Sequence, residues 1–180
     1  MDLAALIRDA NEARARLLER ARGVSAAQGA FKPPDDEWSI AENVEHLVLA
    51  EQGCINRTWA AADGLRRGQP VWRGAAVHRG KPIEQIVRET WGPATKAPDP
   101  AAPRRRGPLA YWLVALQCNQ PLLDALPGAL DGLDPHEVIT PHPISGPWDA
   151  AQWLAFVRLH LQIHGRQIEA VTRAPGFPTA

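Results

Sequence analysis

The chain has 180 residues, and its 20 basic and 20 acidic side chains give a formal net charge of zero at neutral pH. This length suits one domain with a sizeable core, and the balanced charge argues against nucleic acid or an anionic membrane as a partner. No run reaches the roughly 20 apolar residues of a membrane-spanning helix, and the N-terminus lacks a signal-peptide pattern. We therefore expect a cytoplasmic protein with a single domain over residues 1–180.

Apolar residues recur at helical spacing in four long segments, which we predict to be helices. The second segment starts with Ser39-Ile-Ala-Glu42, a capping box in which each side chain accepts a hydrogen bond from the other residue's amide. The third contains Pro121, which can kink a helix. The predicted bounds are about 2–22, 40–66, 108–126 and 147–172.

Two segments rich in proline and glycine separate these helices. Residues 67–106 are predicted to be an irregular crossover between helices two and three, with one short helix at about 82–91. Residues 127–146 are predicted to be a loop. Four long amphipathic helices and almost no strand pattern predict an all-α fold, a four-helix bundle. The crossover between helices two and three is too long for a simple hairpin. The run 104–106 in that crossover is either a phosphate-binding patch or a solvated group of arginines.

His160 and His164 are four residues apart in predicted helix four, so both imidazoles lie on one face of that helix. The same face carries Trp153, Phe156 and Ile168, and is therefore expected to be buried. A buried polar side chain needs a partner. A shared metal ion would satisfy both histidines, and so would separate hydrogen bonds to nearby carbonyl groups.

A third imidazole is available from His46, in the second turn of helix two. Ala50 and Gly53 follow it on the same stripe and leave space beside the ring. Three neutral imidazoles suit a divalent transition metal and leave coordination positions open, as in catalytic sites. A surface position for His46 is the alternative. The remaining histidines lie in predicted irregular segments, and we assign no role to them: His78, His136 and His142.

Two segments of the sequence resemble the signatures of the DinB/YfiT-like metalloenzymes. The first is Asp36-Glu-Trp-Ser-Ile-Ala-Glu-Asn-Val-Glu-His46-Leu47, followed by Glu51. The second is Trp148-Asp-Ala-Ala-Gln-Trp-Leu-Ala-Phe156, followed by His160, His164 and Gln167. Together the two motifs are fairly specific, and they cover both ends of the predicted bundle.

The resemblance implies a four-helix bundle with a crossover after helix two and a metal site at one mouth of the bundle. His46, His160 and His164 match the metal-binding positions of the family, whose members bind zinc, nickel or iron and are often homodimers. Characterised members include thiol-dependent transferases that use bacillithiol or mycothiol, and a mycothiol-dependent maleylpyruvate isomerase. That isomerase has an extra C-terminal domain, so we do not expect the same activity here.

We therefore predict a metal-dependent enzyme that acts on a small molecule. One reaction is S-transfer from a low-molecular-weight thiol, and the other is hydrolysis by an activated water. The alternative function is a stress-response module that binds a metal or a small ligand without turnover. A bundle whose metal site has decayed is a third possibility.

Glu51 and Gln167 are the candidate catalytic residues beside the histidines. Glu51 lies about 140° round the helix from His46, so we expect it at the surface, with a role as a base as the alternative. Gln167 is one turn beyond His164 and is a candidate to line the site.

Other side chains leave alternatives open. Cys54 and Cys118 are expected to be buried core residues, although Cys54 can also lie near the site. Arg57 either meets an anionic substrate or is solvated. The tryptophans either line a ligand cleft or pack in the core and anchor loops: Trp38, Trp59, Trp72, Trp91, Trp112, Trp148 and Trp153.

Overall fold

A computed structural model describes residues 2–34, 37–92 and 95–179 of the chain. The described residues are mostly helical, which confirms the predicted fold class. In chain order, the helices and strands are α1 (Leu3–Ala21), α2 (Ala26–Ala30), α3 (Ile40–Arg66), α4 (Ile83–Thr90), α5 (Leu109–Asp124), α6 (Leu126–Ala129), β1 (Ile139–His142), β2 (Gly146–Asp149) and α7 (Ala150–Thr172). A 3-10 turn, Asp99–Ala101, lies between α4 and α5.

The bundle consists of α1, α3, α5 and α7, and each helix packs against two others. α7 contacts α1 and α3, while α5 contacts α3 and α1. Large apolar side chains from all four helices fill the core with almost no exposure: Leu17, Leu47, Trp112, Leu116, Leu123, Leu154 and Ile168. None of the helices in the described residues is both long enough and apolar enough to cross a membrane.

The start of α3 is fixed by the predicted capping box. The Ser39 Oγ accepts a hydrogen bond from the Glu42 amide at 3.2 Å, and the Glu42 carboxylate accepts one from the Ser39 amide at 2.8 Å. The observed helix has the predicted bounds, 40–66. Since this box sets where α3 begins, it also sets the direction in which His46 points.

The segment before α7 differs from the predicted loop because β1 and β2 pair as an antiparallel hairpin there. Pairing places Gly146–Asp149 in a strand, so α7 begins at Ala150 rather than near Pro147 or Trp148. Asp149 and Gln152 then form a second capping box, with hydrogen bonds of 2.8 and 3.1 Å. This box fixes the helix that carries His160 and His164.

The crossover is less irregular than predicted. Its short helix is confirmed as α4, which packs against α7. The 3-10 turn contacts α3, so the later part of the crossover lies against the helix that carries His46. Within α5, the helix continues through Pro121 to Asp124.

Candidate metal centre

Three histidine side chains from two helices converge inside the bundle. The Nε2 atom of His160 lies 3.0 Å from that of His46 and 3.1 Å from that of His164. The three residues are 4–6% exposed, and their ligand atoms all lie within 4.8 Å of one another. The structure therefore brings together the three histidines that the sequence analysis selected, in an arrangement that could hold a metal ion.

Two of the imidazoles are oriented by hydrogen bonds at Nδ1. His46 Nδ1 donates to the carbonyl oxygen of Ala101 at 2.8 Å, and His164 Nδ1 donates to Oδ1 of Asn43 at 2.8 Å. The Asn43 amide is itself oriented, because its Nδ2 donates to the Ser39 carbonyl at 2.9 Å. With the ring proton held on Nδ1, both Nε2 atoms carry lone pairs, which is the form that binds metal.

Burial keeps these rings neutral. It lowers the pKa of His46, and it lowers the pKa values of His160 and His164 well below that of a free histidine, because a buried imidazolium loses its hydration. The neighbouring histidines reinforce the effect on His160 and His164, since a second positive charge would be repelled. Neutral imidazole is the ligand form, so the centre is ready for a cation at neutral pH.

Two of the three separations between the ring nitrogens agree with metal coordination. Nitrogens about 2.0–2.1 Å from a tetrahedral zinc ion lie about 3.3 Å apart, and the observed separations of 3.0 and 3.1 Å are close to this value. Three protein nitrogens leave further coordination positions free for a small molecule. The donor set, its burial and its orientation therefore fit a divalent transition metal.

The three histidines line a cleft of about 1000 Å³. The Trp38 ring covers two of them, with its centroid 4.9 Å from His46 and 6.0 Å from His164. Ala50 and Gly53 also line the cleft, as their small size predicted. A side-chain carbon added at Gly53 would meet no atom within 4 Å, so this side of α3 is open to a ligand.

The late crossover forms one wall of this cleft. Besides the Ala101 carbonyl that orients His46, the buried Glu45 carboxylate accepts the backbone amides of Arg104 and Arg105, each at 2.7 Å. Glu45 and His46, which are consecutive residues of α3, thus both bind the backbone of the crossover. The sequence analysis missed this role because a backbone carbonyl leaves no trace in a sequence, and because Glu45 lies outside the predicted apolar stripe of this helix.

Glu51 is not at the surface, so that prediction is wrong. It is 5% exposed and forms an ion pair with Arg14, while Asn119 donates to its second oxygen at 3.0 Å. Burial raises the pKa of the Glu51 carboxyl, and the charge of Arg14 opposes that rise. Glu51 points towards α1 and α5 because its position, well round α3 from His46, faces the interior. Its use as a base stays a prediction.

The two cysteines have different environments. Cys54 is buried as predicted, next to a cavity of about 10 Å³ that Glu51 and His160 also line. Burial raises the pKa of the Cys54 thiol, so it is protonated at neutral pH and is no nucleophile. Cys118 is exposed, which contradicts the core prediction. It lies on the outward face of α5, whereas Trp112, Leu116 and Asn119 form the inward one.

Several other predicted residues lie at the cleft. Gln167 is exposed at its edge beside His164, and Arg57 lines it farther along α3. Both readings of the tryptophans hold in part. Trp38, Trp91 and Trp153 line the cleft, Trp112 and Trp148 are buried, and Trp59 and Trp72 are exposed.

The three histidines without an assigned role lie at or near the hairpin. His78 Nε2 hydrogen-bonds the Ser145 carbonyl at 2.9 Å, and His136 contacts the Asp149 carboxylate at 2.7 Å. His142 is in β1 and lines the cleft. Asp36, the first residue of the first motif, lies outside the described residues.

Comparison with known families agrees with this architecture. The model of the DinB superfamily matches residues 10–168, which is most of the chain and includes all three histidines. The chain therefore belongs to the DinB superfamily. Neither a curated protein nor a solved structure matches it significantly.

Proposed function

We propose that His46, His160 and His164 hold a divalent transition metal and that the protein is a metal-dependent enzyme acting on a small molecule. One observation carries most of the argument: three neutral imidazole nitrogens meet at the wall of a cleft of about 1000 Å³. A structural metal site is normally closed by four protein ligands. Here an open side and a cleft large enough for an organic substrate favour catalysis.

When bound, the ion would supply Lewis acidity that favours the deprotonated form of a thiol or a water molecule. The protein's own contribution is to fix the ligand nitrogens, through Asn43 and the Ala101 carbonyl, and to shield the centre from bulk water. Trp38 provides that shield from one side, and Trp91 packs edge-on to His160 at 6.5 Å from the other.

Of the two reactions, we favour S-transfer from a low-molecular-weight thiol, with metal-assisted hydrolysis as the second reaction. Among the described residues that line the cleft, none is a cysteine. Cys54 is buried behind the centre with a raised pKa. A thiol nucleophile would therefore be a cosubstrate, and the cleft has room for both a thiol and its electrophile.

A non-catalytic module that binds a metal or a small ligand is the alternative function. The histidines could also satisfy one another without metal, if a proton on His160 Nε2 were shared with the lone pairs of His46 and His164. Such an arrangement would need no metal and no substrate. Metal analysis separates it from the proposed function.

The test is metal content after purification without added metal, measured by mass spectrometry for zinc, nickel and iron. We expect close to one ion per wild-type chain and almost none in His160→Ala. The matched control is His136→Ala, which removes a histidine outside the centre and should keep the ion. Full metal content in His160→Ala would contradict the site.

Activity needs its own measurement. Metal-loaded and chelator-treated protein would be assayed with bacillithiol and mycothiol against a panel of electrophiles, and with ester and amide substrates without thiol. Turnover that requires both metal and thiol supports S-transfer. Bound metal without turnover in any assay supports the binding module.

A further inference from the structure

The cleft continues along α3 beyond the three histidines and reaches Arg57. Arg57 follows His46 by eleven residues, so at the helical rise their Cα atoms are about 16 Å apart. The side chain is half-buried and lines the cleft. No carboxylate in the described part of the chain forms an ion pair with it. A half-buried cation without an anionic partner is available to a ligand.

A hydrogen-bond donor lines the same cleft as this cation. His142 is 7% exposed in β1, and its ring stacks on Trp148 with the centroids 3.9 Å apart. Its Nδ1 accepts the backbone amides of Ile144 and Ser145, at 3.2 and 3.1 Å. The ring proton is therefore on Nε2, which has no partner among the described residues, and His142 itself lines the cleft.

Arg57 is close enough to His142 for its charge to act on the imidazole. Burial, together with the charge of Arg57, lowers the pKa of His142 to about 3. The ring is therefore neutral near pH 7, where it has one N–H to donate, and Arg57 supplies the positive charge. A cation and a fixed donor that line the same cleft are groups that recognise a carboxylate.

We propose that Arg57 and His142, which line the same cleft as the three histidines, form an anion subsite there, and that it binds the carboxylate of an organic molecule. Trp91, Trp153 and Phe156 also line the cleft and would contact the apolar body of that molecule. Assigning the subsite to a substrate or to a thiol cosubstrate rests on the proposed function. Binding of the carboxylate itself does not depend on a metal.

Among the described residues that line the cleft, Lys96 in the crossover is the other lysine or arginine besides Arg57. Asp99 follows Lys96 by three residues, whereas the partner proposed for Arg57 is an uncharged donor. If Arg57 binds the carboxylate, Arg57→Gln should lose the preference for it; if Lys96 binds it, Lys96→Gln should. Both variants are therefore part of the test.

The experiment is calorimetric titration of the full chain with 4-phenylbutyrate and with its neutral amide, 4-phenylbutyramide. Both probes are titrated into chelator-treated and zinc-loaded protein. We expect the wild type to bind the carboxylate about tenfold more tightly than the amide in both states. Arg57→Gln should abolish that preference.

His142→Asn provides a matched variant, because an asparagine Oδ1 can still accept the amides of Ile144 and Ser145 but offers no donor at the Nε2 position. We expect it to reduce carboxylate affinity about threefold to tenfold. Arg88→Gln, which removes an exposed cation on α4 outside the cleft, and Lys96→Gln should both bind like the wild type. Circular dichroism would confirm that each variant is folded.

The outcomes separate this proposal from the proposed function. Equal affinity of the wild type for carboxylate and amide, unchanged binding by Arg57→Gln, or loss of the preference in Lys96→Gln would each overturn the subsite. A preference for carboxylate in protein that never acquires metal would support the subsite while the proposed function fails. If Arg57→Gln keeps a normal metal content but loses the preference for the carboxylate over the amide, the result supports both the anion subsite and the metal centre.

Discussion

Two buried polar clusters lie next to each other on α3, and their polar groups are paired in different ways. The histidine cluster is His46, His160 and His164, and the ion-pair cluster is Arg14, Glu51 and Asn119. In the ion-pair cluster a guanidinium and an amide provide donors for a carboxylate, so the charges are balanced internally. In the histidine cluster lone pairs converge, which favours an added cation. The burial of polar groups therefore does not by itself identify a metal site. A metal site is indicated when the lone pairs of those groups point towards one another with no donor between them.

Breaking the ion-pair cluster should have the largest effect, and the effect should be on stability. Arg14→Met leaves Glu51 buried without its cation, and we expect the free energy of unfolding to fall by about 3–5 kcal/mol. Denaturant unfolding of chelator-treated protein measures this loss. The metal content of the folded fraction should stay at the wild-type level.

The control for that variant is the double substitution Arg14→Met with Glu51→Leu, which removes both charges. We expect it to recover much of the lost stability, because apolar residues of similar volume can replace a buried pair. Loss of metal in Arg14→Met would mean that the two clusters act as one unit, contrary to the comparison above.

The contrast between the clusters also shows which features sequence reasoning could predict. His160 and His164 are four residues apart, so helical geometry alone places both on one inward face. A capping box fixes the start of the helix that carries His46, and the family resemblance favoured an inward position for it over a surface one. The partner of Glu51 is 37 residues away. Its burial depends on how α1 packs against α5 and α7, which no local pattern encodes.

The hairpin was missed for a different physical reason. Pro141 and Pro147 are paired opposite each other in the two strands. Proline lacks the amide that a strand ladder uses, and its presence normally argues against a strand. The hairpin placed the start of α7 at Ala150 and brought His142 to the cleft, so the missed strands also hid a candidate binding residue.

The next largest effect should be a loss of metal affinity when a side chain that orients a histidine is removed and all three histidines are kept. Asn43→Ala removes the acceptor that orients His164, and outer partners of this kind typically contribute 10- to 100-fold to metal affinity. That range corresponds to about 1.4–2.7 kcal/mol. Competition with a chromogenic chelator measures the affinity. Asn119→Ala, the matched amide in the ion-pair cluster, should leave metal affinity unchanged.

A smaller effect should appear in the pH dependence of stability. The pKa of His142 is about 3 in the folded protein, against about 6.5 in an unfolded chain. Below pH 6.5 the unfolded state binds a proton that the folded state does not, so stability falls as the pH falls. Between pH 7.5 and 5.5 this one group should cost about 1.4 kcal/mol.

The measurement compares chelator-treated wild type with His142→Asn by denaturant unfolding at the two pH values. Between pH 7.5 and 5.5, the free energy of unfolding of His142→Asn should fall by about 1.4 kcal/mol less than that of the wild type. The other buried histidines are present in both proteins, so their contributions cancel. Parallel pH profiles would show that His142 takes up a proton without unfolding.

The smallest expected effect compares the open and closed sides of α3 through two glycines. A side-chain carbon at Gly53 would meet nothing within 4 Å, whereas one at Gly64 would lie 2.7 Å from the Gln69 carbonyl oxygen. Alanine is favoured over glycine inside a helix by roughly 0.5–1 kcal/mol. Gly53→Ala should therefore raise the free energy of unfolding by about that amount, while Gly64→Ala should lower it. Stabilisation in both variants would show that α3 also has room at Gly64, which would contradict the contrast between the two sides, whereas destabilisation by Gly53→Ala would contradict an open wall at Gly53.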